Sequence, residues 1–163
     1  MNKIGLALSQ TRTAEASLAS TWLRVGERES VDHEWLYNAR HFHTQCLEHI
    51  EDLAKFAPKY GSDIDEKEDR DFYDGLMGKT RHKISEMIGR RPESGLLLLN
   101  DQRLVYTLCY AVSFHWTVLG QVAQAMRDRD LLTMVDHNHK DILTQVKWVK
   151  AEIKVSSPQV LCA

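Results

Sequence analysis

Apolar residues return at helical spacing along most of the chain. Between residues 3 and 27 the steps alternate between four and three through Ile4, Leu8, Thr11, Glu15, Leu18, Trp22 and Val25, the seam of an amphipathic helix. Gly26 and the charged Glu27-Arg28-Glu29 are its expected stop. Ser30 is placed to cap a second helix over about 31–57, with Asp32 and Glu34 in the first turn, where the helix dipole favours acids. Its apolar face reads Val31, Trp35, Phe42, Cys46, Ile50, Leu53 and Phe56, and Pro58 with Gly61 terminates it. A third long segment, about 96–127, carries Leu104, Leu108, Val112, His115, Leu119, Val122 and Met126 along its seam. It is apolar nearly all round, so it needs cover on more than one side. The fourth, about 131–155, repeats Leu132, Val135, His139, Ile142, Val146, Val149 and Ile153, and Ser156-Ser157-Pro158 is its expected end.

Residues 59–95 are too many for a tight turn. Seven acids between Asp63 and Asp74 precede Lys79, Arg81, Lys83, Arg90 and Arg91, an order that complements the dipole of a helix over about 65–89. Phe72, Leu76, Ile84, Met87 and Ile88 give this helix an apolar side, and Gly75, Gly78 and Gly89 weaken it. No strand-like alternation, hairpin turn or internal repeat is present. The pattern predicts an all-α fold: an antiparallel four-helix bundle with a long crossover containing an additional helix, in one domain spanning 1–163.

Composition narrows the class of function. A chain of 163 residues builds one core, and a net charge of −2 gives no general electrostatic reason to bind nucleic acid or anionic lipid. Cys46, Cys109 and Cys162 are odd in number and widely spaced, which suits a reducing compartment. The apolar stretch from Ile4 to Leu8 is too short for a signal peptide, so a cytoplasmic location is expected. Leu104 to Met126 has membrane length and no charged residue, but Thr107, Ser113, His115, Thr117, Gln121 and Gln124 would need partners in lipid. A helix buried within a protein is expected there, with no membrane span. Gly78-Lys79-Thr80 lacks the first glycine of a phosphate-binding loop, Tyr73 standing in its place. No His-Glu-x-x-His, Cys-x-x-Cys or Gly-x-Ser-x-Gly motif occurs, so nucleophilic catalysis has no candidate; Cys46, one turn from His49, reads as a core thiol.

Each long seam nevertheless contains one group that does not belong in apolar surroundings, where an unpaired polar group costs about 1–3 kcal/mol. These are Glu15, His49, His115 and His139. With the first and fourth helices running up and the second and third down, the four heights agree to within about 4.5 Å at the α-helical rise. Gln45, one turn from His49, and Asp136, three before His139, are placed to join as a further ligand or support. Three imidazoles and a carboxylate suit a divalent transition metal such as Fe, Zn or Mn, with Ni or Cu also compatible. The same residues equally make a hydrogen-bonded polar layer with no metal.

Two helical hairpins separated by one long connection resemble the ferritin-like bundle superfamily. Its di-iron members use a Glu on the first helix, Glu-x-x-His on the second, Glu on the third and Glu-x-x-His on the fourth. Glu15 matches the first position, and Asp136-x-x-His139 is an acidic variant of the last. Cys46 stands three before His49, and the third-helix carboxylate falls to His115. The resemblance therefore implies a mononuclear or degenerate di-metal site; the other function class is a non-catalytic interaction or structural module with a metal-free layer. On the third helix Tyr106, Cys109, Tyr110 and Trp116 are expected to face outward and to seek cover, by default from a second copy in a homodimer, the helix of the long connection being the alternative source of that cover within one chain.

Overall fold

A computed structural model describes residues 3–64 and 93–162. Among the described residues every regular element is helical: α1 (Lys3–Arg28), α2 (His33–Phe56) with a 3-10 turn at Ala57–Tyr60, α3 (Ser94–Met126) and α4 (Arg129–Leu161). The helix expected over 65–89 lies outside the described residues.

Three element ends differ from the sequence reading, each for a local reason. α1 runs through Gly26, because α2 presses so close that a methyl there would stand 2.7 Å from the Ala39 Cβ; this glycine makes a contact and does not stop the helix. The cap of α2 is Asp32 and not Ser30, its carboxylate accepting from the backbone N–H groups of Glu34 and Trp35. Val31 thus precedes the helix, and it is 94% exposed. α4 continues through Pro158 to Leu161. Proline removes one backbone donor, and this turn is held otherwise. Ser156 Oγ lies 2.8 Å from both the Glu152 carbonyl and Gln102 Oε1 of α3, while Ser157 Oγ donates to the Ile153 carbonyl.

Ties at the two ends set the topology. Arg28 at the end of α1 pairs with Asp101 near the start of α3 at 2.5 Å, so these helices are antiparallel neighbours. Gln45 with Gln145, and Asp52 with Asn138, run α2 antiparallel to α4. At the opposite end, Lys59 (2.7 Å) and Tyr60 both donate to Asp128, the residue that caps α4. Those two donors hold the Asp128 carboxyl at about 2, well below its ordinary value. α2 therefore ends beside the end of α3, and α3 begins at the far end of the bundle, as in a four-helix bundle with a single long crossover.

The core is layered along the axis. Trp22, Trp35, Phe42 and Trp148 pack together toward the Arg28 end, with ring centroids as close as 4.7 Å. Leu8, Leu53, Leu119 and Leu131, all fully buried, fill the Asp128 end. Between them lies a polar layer. Among the described residues no helix is long and apolar enough to cross a membrane.

Candidate functional site

The α1 seam carries Glu15 into the middle of the bundle, where it is fully buried. Glu15 Oε1 accepts two hydrogen bonds, from His49 Nδ1–H of α2 at 3.0 Å and from Trp116 Nε1–H of α3 at 2.6 Å. The other nitrogen of His49 donates to Asp141 Oδ2 of α4 at 3.4 Å. One side chain from each helix thus meets in a single chain of bonds, with the His49 ring edge-on to Trp116 at 5.9 Å. Asp141 is partly exposed, so the chain runs from the bundle axis to the solvent edge. Burial alone would lower the His49 pKa; hydrogen bonding and charge from Glu15, then from Asp141, outweigh it and raise the pKa above 6.5. With a carboxylate facing each nitrogen, the arrangement favours the protonated ring, which can donate from both.

One turn away, Gln145 organises a second set of bonds. Its Oε1 accepts from Trp22 Nε1–H at 2.8 Å and from the Cys109 thiol at 3.9 Å. Its Nε2 faces Gln45 Oε1 at 3.3 Å and Cys46 Sγ at 3.9 Å. Burial first, and the nearby Glu15 charge second, push both thiols upward in pKa. Both cysteines are therefore protonated thiols, not nucleophiles.

Of the six residues singled out from the sequence, the structure brings Glu15 and His49 together and places Gln45 at the edge of the same region. His115 and His139 do not join them, which corrects the expected convergence. His139 Nε2 instead lies 2.8 Å from Ser113 Oγ at the α3–α4 seam, and Asp136 is an exposed acid whose charge is felt by His139. His115 is half-buried beside Phe114, its pKa lowered by burial alone. The reason is helical phase. The buried line of α3 passes through Cys109, Val112, Trp116 and Leu119, and that of α4 through Val135, Asn138, Ile142 and Gln145. Each histidine stands one residue, about 100°, off the axis-facing line. Cys109 and Trp116, expected outward, are for the same reason fully buried.

Trp116, Asp141 and Gln145 were missed. A readable trace of the last two exists: Asn138, Asp141 and Gln145 recur at steps of three and four, a polar stripe beside an apolar one. Trp116 leaves no such trace, because an indole in an apolar helix reads as packing.

The donor set does not fit the metal that the resemblance implies. Both His49 nitrogens are engaged by carboxylates, and Trp116, a donor with no lone pair to give, sits on Glu15 from the third helix. Among the described residues no group of three or more His, Cys, Asp or Glu side chains is placed to hold a metal ion. Comparison with protein-family models, curated proteins and solved structures finds no match for this chain.

Proposed function

We propose that this protein is a non-catalytic helical interaction module with ferritin-like connectivity, whose central layer is a metal-free hydrogen-bonded network that fixes the register of its four helices. The observation that carries the reading is the double engagement of His49, between Glu15 and Asp141, with Trp116 on the same Glu15 oxygen. Bonds of this kind demand one vertical alignment of the helices, since a slip of one turn moves a donor by about 5.4 Å and strands a buried carboxylate. A single buried polar position is known to set register and assembly in helical bundles at some cost in stability.

One atom favours the metal reading: Glu15 Oε2 is buried without a hydrogen-bond partner. The two readings separate on metal analysis of untagged protein together with thermal unfolding with and without chelator. We expect far less than one metal per chain and an unmoved melting temperature. Stoichiometric metal, with a melting temperature that chelator lowers in wild type but not in His49→Ala, would overturn the proposal, because a ligand bound only to the native state stabilises it by mass action.

A further inference from the structure

The two hairpins, α1 with α2 and α3 with α4, are each closed by a short turn, and three polar rungs tie α2 of one to α4 of the other: Gln45 to Gln145 at 3.3 Å, His49 to Asp141 at 3.4 Å and Asp52 to Asn138 at 3.4 Å. The middle rung is the one that holds a histidine. His49 faces a carboxylate with each nitrogen, and the two carboxylates differ in what they lose without a donor. Glu15 is fully buried; its Oε1 accepts from His49 Nδ1 at 3.0 Å and from Trp116, and its Oε2 has no partner. The Asp141 side chain is 28% exposed and can bond water instead. Stranding a buried carboxylate costs far more than returning a partly exposed one to solvent. Among the described residues the charged groups acting on the ring are Glu15 of α1 and Asp141 of α4. α3 offers it Trp116, which does not titrate, and the thiols beside Glu15, Cys46 and Cys109, are held protonated by burial and by that carboxylate.

We propose that His49 is a proton-operated latch between the two hairpins: its neutral ring keeps the proton on Nδ1 against Glu15 and releases Asp141, parting α2 from α4 at the middle rung while α1 and α2 stay joined. When the proton leaves Nε2, a ring lone pair faces the Asp141 oxygen, and two acceptors repel. Asp141 turns to water, and the rungs through Gln45 and Asp52 remain on either side. Burial lowers the His49 pKa, but bonding and charge from Glu15 and then from Asp141 raise it above 6.5 on balance. The latch is therefore closed below pH 6.5 and opens as pH rises through the raised value. This latch deepens the proposed function and rests on the metal-free reading of the layer, since a metal on either nitrogen would stand in place of the proton.

The test is nitrogen-15 NMR of the full chain labelled at histidine, with chelator present throughout. His49 is picked out among the eight histidines by the signals missing from His49→Gln. As pH rises above 6.5, Nε2 should move to the unprotonated range while Nδ1 keeps its proton. Amide hydrogen exchange, corrected for its intrinsic pH dependence, should show protection over 45–52 and 138–145 falling about five-fold more than over α1, the factor that one hydrogen bond supplies. In Asp141→Asn an amide can donate to the neutral ring and accept from the charged one, so that extra loss should vanish with the circular dichroism unchanged. A neutral His49 that carries its proton on Nε2, ring nitrogens that do not titrate, or an Asp141→Asn variant with the wild-type loss of protection overturns the proposal. Metal content decides the layer reading and the ring titration decides the latch, so the two fail separately.

Discussion

His49 bonds to two carboxylates, and a neutral imidazole has only one N–H to give them. Losing its proton therefore leaves Glu15 or Asp141 without its donor. The folded-state pKa is raised above 6.5, so the stabilisation is fully present below pH 6.5 and is lost as pH climbs through the raised value. We expect the melting temperature of wild type to fall as the pH rises above 6.5 and through the raised value, whereas His49→Gln starts lower and follows a flatter profile. An imidazole resonance of His49 titrating below 6.5 would contradict this. At this scale the sequence was half legible. Glu15 and His49 stand out because a charged or titratable group interrupts an apolar repeat. Asp141 hides beside Ile142 because exposed and buried acids look alike until the helix phase is known.

Helix phase was legible where charges bracket the seam and ambiguous where they do not. α1 and α2 alternate apolar with charged positions, and Leu8, Leu18, Trp22, Phe42, Cys46 and Leu53 are buried as expected. α3 has no charges over its apolar stretch, so seams through His115 and through Trp116 fit the pattern equally well, and only packing against Glu15 selects Trp116. Helix ends were lost to tertiary contact, as Gly26 shows. There a Cβ would stand 2.7 Å from Ala39, whereas at Gly120 it would stand 3.4 Å from Val135 Cγ1, an ordinary contact. The two glycines should respond oppositely to alanine. Gly26→Ala is expected to destabilise by about 1–3 kcal/mol through overpacking. Gly120→Ala is expected to gain up to about 1 kcal/mol of helix propensity. Urea unfolding measures both, and a stabilised Gly26→Ala would mean that α1 and α2 do not approach as closely as described.

Across the whole molecule the polar layer lies between an aromatic layer and an aliphatic one, so every helix must cross it to build a continuous core. The bundle and its connectivity follow from periodicity and loop length and were legible. The identity of the layer was not, because it depends on how four independent phases combine. Its energetic role follows from burial. Glu15 is fully buried and His49 nearly so, and removing one member strands the other. His49→Leu alone should therefore cost about 3–5 kcal/mol. Removing the set together is different. In Glu15→Leu/His49→Leu/Trp116→Phe no buried donor or acceptor of the triad remains, and the partly exposed Asp141 can turn to water. That triple variant should recover most of the loss, since apolar replacement of a buried ion pair is often neutral or stabilising. What it should lose is uniqueness: with only apolar contacts across the layer, a one-turn slip strands nothing, and the amide spectrum should broaden or double. Denaturation midpoints and two-dimensional NMR of wild type, single and triple variants test both halves. A triple variant as unstable as His49→Leu would show that the layer contributes stability outright, and a sharp single-state spectrum from a stable triple variant would show that register is held by the aromatic and aliphatic layers without it.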